Sequence, residues 1–144
     1  MATHEIGHLL GLDHSTLVSA TMFPTIAKGF NYPRALSSDD IAGISTIYPS
    51  ASFATKGKIS GTVRTTAGAA VYGAIVVAVN STGTPVAGTI TNPSGTYTIE
   101  GLDAGAYTVY AEPMDGPFTI SNVQTLSRIY LGSTTTSNFT TRYH

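Results

Sequence analysis

The segment from His4 to His14 limits the possible folds of this chain more than any other. It reads His-Glu-x-x-His-x-x-Gly-x-x-His. On a helix, His4 and His8 lie four residues apart and project from one face. Gly11 accepts the left-handed backbone that ends a helix, so the chain can turn and bring His14 towards the same face. The pattern therefore predicts a helix, a glycine turn and a loop that gather three imidazoles.

Three imidazoles at this spacing are typical of a catalytic Zn²⁺ site, which keeps a fourth position open for water. Glu5 lies beside such a metal rather than on it, and its carboxylate can take a proton from the bound water. The alternative is a surface helix with ordinary polar residues, but a pattern with three histidines is rare by chance. We predict His4, His8 and His14 as zinc ligands and Glu5 as the catalytic base.

This motif resembles that of the metzincin clan of zinc endopeptidases. Metzincin subfamilies differ in the residue after the third histidine, and a serine at that position, here Ser15, resembles the matrixin type. Eight residues past His14, Met22 lies in Ala-Thr-Met-Phe-Pro, which is similar to the matrixin Met-turn. The resemblance implies that the Met22 thioether lies beneath the three imidazoles, whereas a lone methionine would indicate a core filler.

Phe23, Pro24 and Ile26 follow the Met-turn and are candidates for an apolar substrate pocket. Plain hydrophobic packing is an equal alternative, because apolar residues near a site mostly belong to the core. Matrixins usually have a tyrosine where this chain has Ile26, so the pocket is expected to differ in shape.

A second helix is predicted after Leu36. Ser37 can cap it and Asp40 can complete a capping box, while the acidic residues favour the positive helix end. Apolar residues follow at helical spacing, and Pro49 ends the run; they are Ile41, Ile44, Ile47 and Tyr48. The segment resembles the last matrixin helix, so the resemblance covers residues 1–49.

In metzincins several strands precede the zinc-binding helix, and here His4 follows Met1 after two residues. We therefore expect residues 1–49 to be the C-terminal part of a matrixin-like catalytic domain, with little or no peptidase activity in this chain. The resemblance implies that any structural Ca²⁺ belongs to the upstream strands.

Residues 50–56 are small and polar and predict a linker. Beyond them the apolar period changes to two, as in Ile59, Gly61 and Val63, and turn residues recur. The run Ala74–Val79 is continuously apolar and predicts a central buried strand. We predict an antiparallel β-sandwich of about seven strands over residues 57–144, able to fold on its own.

The sandwich region resembles the carboxypeptidase regulatory-like domain, a transthyretin-like or Ig-like sandwich. The matching pieces are Gly57–Val63, Gly73–Val77, Gly95–Ile99 and Gly101–Val109. The expected fold class is thus α+β, with two helices and a Met-turn followed by the sandwich. Asp103 and Asp115 are interpreted as turn residues. Strand tyrosines favour cross-strand packing over a sugar-stacking surface; they are Tyr72, Tyr97, Tyr107, Tyr110 and Tyr130.

The composition limits the kinds of partner that the chain is expected to bind. Charged residues are 10% of the chain and the net charge is −1, so there is no excess of basic residues that would favour binding of nucleic acid. No apolar run approaches the roughly 20 residues of a membrane span. The absence of cysteine excludes disulfides and cysteine-bound metals. With the protease motif, these features suit a secreted, extracellular protein.

These observations predict a zinc endopeptidase that hydrolyses peptide bonds of extracellular proteins, present as a fragment with an accessory sandwich. A binding or spacer module for polysaccharide or protein matrix, carrying a metalloprotease remnant, is the alternative. A purely structural segment of a surface protein would show neither proteolysis nor specific binding.

Overall fold

The computed structural model describes residues 2–25, 35–114, 122 and 142–143. Two α-helices come first: α1 spans Ala2–Leu9 and α2 spans Ser38–Ile47, followed by a 3₁₀ turn at Phe53–Thr55. The described strands then follow in chain order. They are β1 (Gly57–Thr62), β2 (Ile75–Asn80), β3 (Pro85–Ile90), β4 (Thr96–Leu102), β5 (Tyr107–Glu112) and β6 (Arg142–Tyr143).

Helix α2 begins at the predicted cap. The Ser37 hydroxyl accepts a hydrogen bond from the Asp40 amide at 3.2 Å, and the Asp40 carboxylate accepts one from the Ser37 amide at 2.7 Å. This reciprocal pair is the capping box that the sequence predicts. The helix buries Ala42, while Ile41 and Ile47 are about half exposed. The apolar spacing thus predicts the helix correctly but does not identify the residue that the helix buries.

The strands form two antiparallel sheets, as the α+β prediction requires. One sheet pairs β1 with β4, and the other has the order β3-β2-β5-β6. Strand β2 is central, with Val77 opposite Gly88 of β3 and Tyr110 of β5. The continuous apolar run is therefore a buried central strand, as predicted. The prediction of about seven strands stays open, because most of residues 115–144 lie outside the described ranges.

Two hydrophobic clusters cover the two faces of β2. The inner core lies between the sheets and consists of Val76, Ala78, Ala87, Ile99 and Leu102. The shared core lies on the other face and consists of Leu17, Ala20, Phe23, Ile75, Val77 and Met114. Because both faces of β2 are covered, neither of its two alternating sets of side chains faces water, and the strand is apolar from Ile75 to Val79.

The shared core crosses the predicted boundary at residues 50–56. Leu17, Ala20 and Phe23 precede that segment, and their partners on β2 follow it. The division into residues 1–49 and 57–144 and the independent folding of the sandwich stay predictions. Removing residues 1–49 would expose Ile75 and Val77 to water, so the sandwich alone is expected to be less stable than the whole chain.

No helix among the described residues is both long enough and apolar enough to cross a membrane.

Candidate metal centre

Helix α1 and the turn after it bring the three motif histidines together. The helix ends in a Schellman motif, with the Gly11 amide bonded to the His8 carbonyl at 3.0 Å and the Leu12 amide bonded to the Gly7 carbonyl at 2.9 Å. Gly11 has the predicted left-handed backbone, with φ of 96°. One candidate ligand atom from each of His4, His8 and His14 lies within 4.8 Å of the other two.

Each of the three imidazoles has its Nδ1 atom at a backbone carbonyl oxygen. The acceptors are Thr21 at 2.7 Å from His4, Leu12 at 2.9 Å from His8, and Asn122 at 2.5 Å from His14. A carbonyl oxygen only accepts hydrogen bonds, so Nδ1 carries the proton in every ring. In the neutral form the Nε2 atoms are then unprotonated, and Nε2 is an atom through which imidazole binds metals.

The Nε2 atoms of His4 and His8 face each other at 3.1 Å. Two lone pairs at this distance repel unless a cation or a proton lies between them. Two nitrogens bound to one tetrahedral Zn²⁺ at about 2.0–2.1 Å stand about 3.3 Å apart. The donor set, its protonation and the separation of the His4 and His8 nitrogens therefore fit a zinc ion.

Glu5 lies on α1 next to His4, and its side chain is exposed. The buried ring of His4 and the exposed carboxylate of Glu5 thus belong to one helical turn. This arrangement leaves the carboxylate accessible to a water molecule or to a substrate.

The Met-turn packs directly against α1. Met22 is 2% exposed, and a Cβ atom added at Gly7 would overlap its sulfur. The Met22 carbonyl accepts a hydrogen bond from the Ser15 amide at 2.9 Å, which ties the turn to the residue after His14. The Met22 thioether therefore lies against the histidine-bearing helix, and its place beneath all three rings stays a prediction.

Asp40 holds the Met-turn from the other side. Its carboxylate is buried and accepts hydrogen bonds from the amides of Thr21 at 2.9 Å and Met22 at 3.0 Å. The Thr21 carbonyl in turn orients His4. The sequence predicts only the capping role of Asp40, because partners 18 and 19 residues away leave no local pattern.

Asp39 joins the histidine loop to the sandwich. One carboxylate oxygen accepts a hydrogen bond from the Ser15 hydroxyl at 2.5 Å, and the other accepts one from the Gly88 amide of β3 at 2.8 Å. Burial of the carboxyl group raises the pKa of Asp39, and the two hydrogen bonds partly oppose that shift. This role was not predicted either.

Two of the three candidate pocket residues, Phe23 and Pro24, lie among the described residues. Phe23 is 4% exposed within the shared core, which agrees with the packing alternative. Pro24 is partly exposed, and Ile26 lies outside the described residues. The pocket assignment of these three residues stays a prediction.

Four tyrosines of the sandwich region have described surroundings. Tyr72 is 8% exposed, Tyr97 and Tyr107 pack on the inner core, and Tyr110 packs on the shared core. These contacts agree with the packing alternative for the four residues. Tyr130 and Asp115 lie outside the described residues, and Asp103 is an exposed residue between β4 and β5 that pairs with Lys56.

Comparison with known proteins agrees with both resemblances. Residues 1–49 match the matrixin family, and residues 58–141 match the carboxypeptidase regulatory-like domain. Mouse matrilysin is 47% identical over 47 residues, and Arabidopsis thaliana metalloendoproteinase 5-MMP is 52% identical over 48 residues. Human matrilysin is 49% identical over 47 residues. No solved structure matches the chain.

Each of these matches covers 33% of this chain, 18% of either matrilysin and 13% of the plant protein. The chain thus spans less than a fifth of the length of these relatives. The second family covers more than half of the chain. The chain belongs to the carboxypeptidase regulatory-like domain family, and the residues before that domain match the matrixin family.

Proposed function

We propose that this chain carries the zinc centre of a metalloendopeptidase that hydrolyses peptide bonds of extracellular proteins. The supporting observation is the set of three imidazoles whose Nδ1 atoms donate to carbonyl oxygens. That arrangement fixes each ring and leaves three Nε2 lone pairs for one metal. Matrixin relatives and a low content of charged residues support the extracellular setting.

His4, His8 and His14 would hold the metal. When bound, Zn²⁺ acts as a Lewis acid and lowers the pKa of its water to about 7. Glu5 accepts a proton from the attacking water and then passes it to the leaving amine nitrogen. The carbonyl groups that accept from the Nδ1 atoms keep the rings oriented and fix which ring nitrogen would face the metal.

Zinc binding is tested by metal analysis of the purified chain and of single variants. We expect about one zinc per wild-type chain and a loss of most of it in His8→Ala, because two imidazoles hold zinc more weakly than three. Substitution of His144, the histidine outside the motif, serves as the control and should leave the zinc content unchanged. Equal zinc content in His8→Ala and wild type would contradict the ligand assignment.

Catalysis is tested with gelatin or casein as substrate and with a longer protein in which matrixin-type strands are joined before His4, because we expect little or no peptidase activity from this chain alone. In that longer protein, Glu5→Gln should keep the zinc and lower the hydrolysis rate by about 10² to 10⁴, because an amide cannot accept the water's proton. A Glu5→Gln variant as fast as its longer parent would exclude the proposed base. Zinc binding without hydrolysis in the longer parent, together with retention on a matrix, would favour the non-catalytic binding module.

A further inference from the structure

The outer face of the four-stranded sheet is apolar where a two-sheet sandwich usually meets water. Ile75 and Val77 point to this face and are 3% and 1% exposed. Outward residues in such folds are normally polar. In this chain the loop between His14 and Pro24 covers Ile75 and Val77. The covering residues are Leu17, Ala20 and Phe23.

The loop approaches β3 at a glycine. Gly88 lies opposite Val77 in the sheet, and a Cβ atom added there would stand 2.5 Å from the Thr16 hydroxyl and 3.3 Å from the Leu17 side chain. The missing side chain therefore makes room for the side chains of Thr16 and Leu17, two and three residues after the third histidine. Any bulk at this point would push the loop away from the sheet.

Polar contacts continue this connection to the imidazoles. The Gly88 amide and the Ser15 hydroxyl share the Asp39 carboxylate, and Ser15 directly follows His14. The His14 ring donates to the carbonyl of Asn122, which lies within the second family's matched range. Both contacts connect His14, the third ligand, or its neighbour Ser15 to residues of the sandwich region.

Helix α1 buries no large apolar side chain. Ile6 and Leu9 on α1 and Leu10 directly after it are 53%, 84% and 43% exposed. Most of the buried apolar residues between His14 and Pro24 instead face the sandwich in the shared core. Order in this loop therefore depends mainly on β2 and β3.

We infer that the outer face of the β3-β2-β5 sheet is the scaffold of the metal centre, and that its residues set zinc affinity by fixing the loop that carries His14. Val77 is then a positioning residue, which acts on the metal through Leu17 and the neighbouring backbone. This inference rests on the proposed zinc site. It adds that the accessory sandwich is a structural part of the metal centre.

Val76 and Val77 provide a matched pair. They are neighbours on β2, each is 1% exposed, and they point to opposite faces, Val76 into the inner core and Val77 into the shared core. Truncation to alanine removes the same atoms at each site. Zinc dissociation constants of the wild type, Val77→Ala and Val76→Ala are measured with the whole chain in competition with a chelator.

We expect Val77→Ala to weaken zinc binding by about tenfold, a typical effect of disturbing the groups that orient metal ligands. Val76→Ala should lower the melting temperature by a similar amount and change the zinc dissociation constant by less than about threefold, because the wild-type loop is retained. With Co²⁺ in place of zinc, the visible absorption bands should shift in Val77→Ala and stay unchanged in Val76→Ala.

A second matched pair, in which each substitution removes less of the side chain, is used if an alanine variant does not fold. Ile75→Val in the shared core is compared with Ile99→Val in the inner core, where the two isoleucines are 3% and 2% exposed. The same order of zinc affinities is expected. Equal zinc constants within a pair would overturn the scaffold inference while leaving the zinc site intact. A wild type without stoichiometric zinc would overturn the zinc site itself, and the inference with it.

Discussion

The metal-binding segment, residues 2–25, and the sandwich strands β1–β5 bury their apolar residues in different ways. The strands build the inner core among themselves, from residues such as Val76 and Ile99. The metal-binding segment leaves Leu9 on α1 exposed and packs Leu17 and Phe23 onto β2. One region therefore supplies its own packing, whereas the other supplies the metal-binding side chains and packs on its neighbour.

This difference separates the residues that carry chemistry from those that provide order. The histidine spacing suits the proposed zinc site and contributes no apolar pattern from which a core could form. Such a segment can have a strong functional motif and still need a neighbouring surface to fix its loops. Four substitutions test this comparison at different points.

The largest effect is expected at Asp40, which links α2 to the Met-turn. Asp40→Ala would leave the buried amides of Thr21 and Met22 without their acceptor and would remove the carboxylate half of the α2 capping box, while the Ser37 cap remains. We expect a loss of about 3–5 kcal/mol in the free energy of unfolding, together with weaker zinc binding through His4. Urea titration followed by circular dichroism measures the first effect, and metal competition measures the second.

Asp40→Asn is the matched control, because the amide keeps one acceptor oxygen of the same shape and should lose less stability than alanine. If the alanine and asparagine variants were both as stable as wild type, Asp40 would not hold the Met-turn.

Gly88→Ala tests the contact between the two regions. The added methyl group would meet Thr16 and Leu17, and we expect a cost of about 1–3 kcal/mol with reduced zinc affinity. Gly57→Ala is the control, since a Cβ atom there makes only ordinary contacts with Leu102, 3.4 Å away at the nearest. Thermal melts with and without zinc compare the two variants. A zinc-dependent stabilisation that is unchanged in Gly88→Ala would mean that the loop tolerates displacement from the sheet.

Asp39 gives the contact a pH dependence. Burial raises the pKa of Asp39 above the ordinary value of 3.8, so the folded chain binds this proton more readily than the unfolded chain. The stabilising contribution is therefore complete below the ordinary value and is lost as the pH rises through the raised pKa. Asp39→Asn lacks this titration and should differ from wild type by about 1 kcal/mol or less at neutral pH.

The stability of wild type relative to Asp39→Asn should increase as the pH falls from 7 towards 4. Chemical denaturation of the metal-free proteins at several pH values measures this difference, and the histidines common to both proteins cancel. A difference that is constant with pH would exclude the raised pKa.

The smallest effect is expected at the exposed ion pair of Lys56 and Asp103. Their side chains are 36% and 80% exposed, and such pairs contribute about 0–1 kcal/mol. Lys56→Ala should change the free energy of unfolding by less than about 0.5 kcal/mol and leave zinc affinity unchanged. A larger effect would show that the segment between the two regions contributes more to the free energy of unfolding than an exposed ion pair normally does.

The sequence by itself determined the local features of this protein. The spacing of His4, His8 and Gly11, the capping box at Ser37 and the apolar run of β2 depend on residues a few positions apart, so they can be recognised in the chain. The two resemblances identified the families over nearly the same residue ranges as the later comparisons.

Only the tertiary structure decided which residues support the imidazoles. Asp40 holding the Met-turn, Asn122 accepting from His14, and Leu17 and Phe23 packing on Val77 all join residues that are far apart in the chain. Such pairs leave no periodic signal, because they depend on which faces meet once both regions have folded. Phe23 is a further example: the sequence leaves a pocket and core packing as equal alternatives, and only its neighbours in space place it in the shared core.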